Sequence, residues 1–159
     1  MAYRVLLVCM GNICRSPMAE GVVRHRMAAA ELDGRVELDS AGTHGYHVGE
    51  PPDPRARQAA ARRGYDISGL RGRRVADEDF ARFDLILAMD GDNLELLQQR
   101  CPPDAGSKLR LFTEFSARWQ GQPVPDPYYG GADGFERVLD MIEDAATGLV
   151  AHVHEHARR

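Results

Sequence analysis

The chain is short of cysteine, of basic charge and of long apolar runs, and each shortage excludes something. Three cysteines in 159 residues (Cys9, Cys14 and Cys101) are an odd number and too few for a disulfide scaffold. A net charge of -4 at pH 7 argues against a dedicated nucleic-acid binder, which is ordinarily basic. The first apolar stretch, Val5-Leu6-Leu7-Val8, is too short for a membrane span or a signal-peptide core. Cytoplasmic residence without a membrane partner is expected. There is no internal repeat, linker or low-complexity stretch, so a single domain over residues 1–159 is expected. With 43% hydrophobic and 28% charged residues, the chain has the composition of a soluble globular protein.

Strand and helix signals alternate. Residues 3–8 read as a strand buried on both faces. A loop with Gly11 and Asn12 follows, then Ser16-Pro17 opens a helix that runs to about Leu32, with Ser16 as N-cap. Residues 36–40 read as a second strand, a Gly-rich loop spans 42–49, and Asp53-Pro54 caps a helix ending near Gly64. A Gly- and Arg-rich connection at 66–76 precedes a third strand at 83–89 and a helix from Asp90 to Arg100. A fourth strand at 108–112, a loop at 120–134 and a helix from Phe135 to about His154 complete the chain. This alternation predicts an α/β fold with a parallel sheet covered on both faces. Ligands of such folds sit beyond the carboxyl ends of the strands, where the loop after the first strand lies.

That loop reads Cys9-Met10-Gly11-Asn12-Ile13-Cys14-Arg15-Ser16. Backbone N–H groups of residues 10 to 15 can curl toward one centre if Gly11 takes an unusual conformation, and the helix behind adds its positive end. Arg15 offers a planar fork for two phosphate oxygens. A ring of donors that binds a dianion also favours the thiolate of Cys9, at the start of the ring, and the Ser16 hydroxyl is placed to donate to that sulfur. A nucleotide P-loop is excluded, because no Gly-Lys-Ser/Thr follows.

Departure of a phosphoester leaving group requires a proton. Asp126, flanked by Pro125 and Pro127 and followed by Tyr128-Tyr129-Gly130-Gly131, is a candidate. From the residues alone it is equally a catalytic acid or a turn former. In the first role a neighbouring dianion would favour its protonated form, and the two tyrosines would wall a slot for an aromatic ring.

Taken together these residues resemble the low-molecular-weight protein tyrosine phosphatases. The matching segments, in order, run from Val8 to Glu20, from Asp39 to Thr43, from Pro52 to Ala56, from Ala88 to Asp90 and from Asp126 to Tyr129. The resemblance implies a doubly wound four-stranded parallel sheet of flavodoxin-like topology and a two-step hydrolysis with no metal and no cofactor. It implies that Cys9 becomes a phosphocysteine while Asp126 acts first as acid and then as base, and that Arg15 and the loop amides of Met10, Gly11, Asn12, Ile13, Cys14, Arg15 and Ser16 hold the phosphoryl oxygens. Asn12, Ser16 and Ser40 would support the loop and keep Gly11 in its strained geometry. Ile13, Tyr46, Tyr128 and Tyr129 would line the substrate slot. Cys14 would form a reversible disulfide with the nucleophile. The implied partner is a phosphotyrosine-containing protein, the product inorganic phosphate, and the chain a monomer.

Two related chemistries share this fold. Arsenate reductases of this fold relay a disulfide through two further cysteines close together in sequence, whereas Cys101 stands alone, just ahead of Pro102-Pro103. In related protein-arginine phosphatases a threonine resembles the occupant of the Ile13 position, so Ile13 with the tyrosines favours phosphotyrosine. His152 and His156, one helical turn apart, lack a third metal ligand and read as a solvated helix end. Arg71, Arg73 and Arg74 read as a solvated face.

Overall fold

The computed structural model describes residues 2–157. Strand β1 (Tyr3–Cys9) is central, and its last five residues are fully buried, as expected for a strand covered on both faces. It pairs in parallel with β2 (Val36–Gly42) on one side and with β3 (Leu85–Ala88) on the other. The outer strand β4 (Leu109–Leu111) pairs in parallel with β3, giving the order β2-β1-β3-β4. The order reverses between β1 and β3. The crevice beyond the carboxyl ends of those two strands is therefore the switch point at which a doubly wound fold binds its ligands.

Helix α1 (Arg15–Ala29) follows β1, α2 (Pro54–Arg62) follows β2, and a short α3 (Asp79–Arg82) leads into β3. Helix α4 (Gly91–Arg100) links β3 to β4, and the long α5 (Ala132–His156) closes the chain against α1. One apolar layer joins Val5, Leu7 and Leu87 to Met18, Val22, Val138 and Ile142 of α1 and α5. The other joins Leu6, Val8 and Ile86 to Phe80, Phe83 and Leu97. Strand alternation feeds both layers, and this fixes the register of the sheet.

The expected element order holds, with differences at the ends. Helix α1 stops at Ala29 because Ala30 leaves the helix and Glu31 turns left-handed at φ 60°. Ser16 is not its N-cap; Cys14 occupies that position, and the Ser16 hydroxyl is used elsewhere. Asp53 caps α2 by accepting from the Arg55 N–H, and Gly64 follows that helix with φ 89°. The short α3 and two 3-10 turns, Pro103–Lys108 and Phe112–Phe115, fall mostly on stretches for which the sequence pattern predicts no element. Among the described residues no helix is long and apolar enough to cross a membrane.

Candidate active site

The loop from Cys9 to Arg15 leaves the carboxyl end of β1 and turns directly into α1. Its unusual backbone conformation is at Asn12, with φ 57°, and not at Gly11 as the sequence suggested. Asn tolerates the left-handed region better than most residues because its short polar side chain bonds locally. Here the side chain is buried and saturated: Nδ2 donates to Ser16 Oγ at 2.7 Å and to Ser40 Oγ at 3.0 Å, while Oδ1 accepts from the Arg73 backbone N–H at 3.0 Å. At Gly11 a Cβ would lie 3.1 Å from the His47 ring, a tight contact that brings His47 against the loop.

Cys9 is 2% exposed. Its sulfur lies 3.1 Å from Ser16 Oγ and accepts from the Asn12 N–H at 3.3 Å. The N–H groups of Gly11, Ile13 and Cys14 have no hydrogen-bond acceptor among the described residues. Such orphan donors next to a helix N-terminus form a nest for an anion. Burial, reinforced by Asp53 and Cys9, pushes the Cys14 thiol well above its ordinary pKa, so the second loop cysteine is held as a thiol.

Arg15 is buried and reaches across the switch point. Nη1 donates to Asp90 Oδ2 at 2.6 Å and to the Val124 carbonyl at 3.0 Å, and Nη2 lies 3.6 Å from Asp126 Oδ2. Burial opposes its charge, but Cys9, Asp90 and Asp126 outweigh that and hold its pKa above the usual value. Asp90 also caps α4 by accepting from the Asn93 N–H. The Asp126 segment is tied to the end of β3 through the Val124 N–H and the Met89 carbonyl, and Asp126 Oδ1 accepts from the Tyr128 N–H at 3.0 Å.

Cys9, Arg15 and Asp126 share one cavity of roughly 190 Å³. Met10, Gly11, Ile13, Cys14, Tyr46, His47, Tyr128 and Tyr129 complete its lining. Tyr46 stacks on His44 with ring centroids 5.1 Å apart, and Tyr129 meets Tyr128 edge-on at 5.0 Å. A site with a buried sulfur, an anion nest and an aromatic mouth fits an aryl phosphate.

The model of the low molecular weight phosphotyrosine protein phosphatase family matches residues 4–159. The chain belongs to that family. This phosphatase is 47% identical over 158 residues to a low molecular weight protein-tyrosine-phosphatase of Streptomyces coelicolor, covering 98% of this chain and 96% of the relative. It is 40% identical over 152 residues to the human low molecular weight phosphotyrosine protein phosphatase, covering 94% and 95%. A protein tyrosine phosphatase from Entamoeba histolytica with Hepes in its active site superposes at TM-score 0.94 with 41% identity, covering 98% and 99% of the two chains. YfkJ from Bacillus subtilis does so at 0.92 with 34% identity, covering 99% and 98%. The phosphatase is accordingly a phosphoric monoester hydrolase, as its relatives are.

The fold gathers every residue singled out in the sequence for the loop, the acid and the slot, and adds four that were not. Asp90 and His47 join the cavity or its arginine. Glu20, buried, accepts from Ser40 Oγ at 2.8 Å, and burial is the main cause of its raised pKa. Arg73 belongs to no solvated face: it is half-buried between Asp39 and Asp79. In the sequence, Asp90 and Glu20 are marked only as the last residues of two of the matching segments, and His47 carries no signal. Cys101 lies outside the cavity, with its sulfur 3.3 Å from the Pro102 carbonyl. His152 is not a frayed end; its ring packs on Phe115 and His156 and meets the Tyr3 hydroxyl at 3.1 Å. Among the described residues no group of three or more His, Cys, Asp or Glu side chains could hold a metal ion.

Proposed function

We propose that this phosphatase hydrolyses phosphotyrosine in proteins through a phosphocysteine on Cys9, with Asp126 as general acid and then base. The observation that carries the reading is the presence, in one cavity, of a buried sulfur under orphan N–H donors, a buried arginine and a carboxylate 3.6 Å from that arginine. In the first step the Cys9 thiolate forms the S–P bond as the P–O bond to the phenol breaks, and Asp126 delivers the proton to the leaving oxygen. The nest amides and Arg15 hold the equatorial oxygens where charge builds. In the second step the Asp126 carboxylate takes a proton from water, the water oxygen attacks phosphorus, and inorganic phosphate leaves with the thiolate restored. Ser16 stabilises that departing thiolate.

Ile13, 8% exposed on the inner wall, favours a flat aryl group over a guanidinium, and the tyrosines extend that wall outward. One relative, Wzb of Vibrio vulnificus, was solved in complex with benzylphosphonate, an aryl-bearing phosphonate. Cys14, held as a thiol near Cys9, is the partner for a protective disulfide after oxidation. The test is Cys9→Ser. It abolishes turnover of p-nitrophenyl phosphate with an unchanged thermal melt; near-wild-type turnover would overturn the reading.

A further inference from the structure

The direction of the Ser16 hydroxyl is decided from outside the loop. Asn12 Oδ1 accepts from the Arg73 backbone N–H, a group that can only donate, so the amide cannot flip. Both Nδ2 hydrogens are then spent on Ser16 Oγ and Ser40 Oγ. Each serine oxygen receives a hydrogen and must send its own elsewhere. Ser40 sends its hydrogen to the Glu20 carboxylate at 2.8 Å, and Ser16 sends its hydrogen to the Cys9 sulfur at 3.1 Å. With the amide reversed, Ser16 would instead donate to Asn12 and the sulfur would lose that bond.

The Arg73 peptide is held on both sides. Its carbonyl accepts from the Gly42 N–H at 2.8 Å, two residues beyond Ser40 at the end of β2. Its guanidinium spans two carboxylates: Nε to Asp39 Oδ2 at 3.0 Å, Nη1 to Asp79 Oδ2 at 2.9 Å and Nη2 to Asp79 Oδ1 at 3.2 Å. Asp79 is 5% exposed and also accepts from the Ala76 N–H, and Asp39 accepts from the Ser40 N–H. A two-carboxylate fork of this kind suits arginine and not lysine.

We propose that Arg73 is a positioning residue for the nucleophile: its clamp on Asp39 and Asp79 holds its own N–H on Asn12, and so turns the Ser16 hydroxyl onto the Cys9 sulfur. The proposal rests on Cys9 being the reactive thiolate. The alkylation measurement reads that thiolate without any substrate and without Asp126, so failure of the phosphotyrosine reading leaves it standing. Alkylation of Cys9 by iodoacetamide, located by peptide mass spectrometry, is followed from about pH 5 to 8. It is compared with kcat on p-nitrophenyl phosphate in the wild type, Arg73→Gln, Ser16→Ala and the double variant.

Arg73→Gln moves half-maximal alkylation up by about one pH unit and lowers kcat about tenfold, the effect of one charge-assisted hydrogen bond, with KM nearly unchanged. In the Ser16→Ala background it does nothing further. A wild-type alkylation profile in Arg73→Gln, or an equal additional loss without Ser16, overturns the proposal. Should Arg73→Gln fail to fold, Asp39→Asn removes only the more exposed carboxylate of the clamp. It gives a smaller loss that again vanishes without Ser16, and a loss that survives there rejects the idea.

Discussion

Replacing Asp126 by asparagine separates its chemical role from its structural one. Asp126 is about one-third exposed and 3.6 Å from Arg15, so the ion pair contributes only about 0–1 kcal/mol to stability. Asparagine keeps an oxygen to accept from the Tyr128 N–H, so the turn survives. A positioned general acid, by contrast, contributes about 100- to 10,000-fold, or roughly 3–5.5 kcal/mol of barrier. The cost depends on how badly the leaving group needs a proton. Phenolate is a strong base, with a pKa of about 10 like tyrosine, whereas p-nitrophenolate leaves far more easily. The assay is kcat for phenyl phosphate and p-nitrophenyl phosphate across pH, with a thermal melt of both proteins. The expected result is a loss of at least about 100-fold on phenyl phosphate, a loss about tenfold smaller on p-nitrophenyl phosphate, an unchanged melt, and disappearance of the alkaline limb of kcat/KM. Equal losses on the two esters would remove Asp126 from the acid role.

Ile13→Thr, which places a hydroxyl on the inner wall of the slot, is expected to raise the ratio of phosphoarginine to phosphotyrosine hydrolysis by about tenfold; an unchanged ratio of kcat/KM values would locate selectivity elsewhere. Burial, then His156 and Arg110, depress the pKa of His152. The unfolded chain therefore binds that proton more readily, and the stability the neutral ring contributes is present above about pH 6.5 and lost as pH falls through the lower folded value. Thermal melts of the wild type should drop more steeply on acidification than those of His152→Gln; parallel curves would show that the ring does not titrate on unfolding.

What the sequence revealed of the site was whatever sat within a few residues. Cys9, Arg15 and Ser16 lie on one strand-loop-helix turn, and Asp126 lies in a segment whose prolines and tyrosines mark it out. What it hid depends on pairs far apart in the chain. Arg73 looked solvated because its partners Asp39 and Asp79 come together only when β2 pairs with β1 and α3 folds under them. Asp90, expected as the first residue of a helix, is its N-cap, while its second oxygen turns to Arg15 across the switch point, a contact between residues 75 apart in sequence. His47 reaches the cavity only because the loop after β2 folds back over Gly11. Intrinsic preference alone points to Gly11 as the residue with the unusual backbone conformation. Tertiary hydrogen bonds placed it on Asn12, whose saturated side chain offsets the backbone cost.

The proposed hydrolysis passes through a covalent phosphoryl group on Cys9. Rapid mixing of Asp126→Ala with an aryl phosphate, acid quenching and peptide mass spectrometry tests it directly. A phosphoryl group is expected on the peptide containing Cys9, present within the first turnover and absent from a Cys9→Ser control. Turnover with no phosphorylated Cys9 peptide, or the phosphoryl group on another residue, would contradict it.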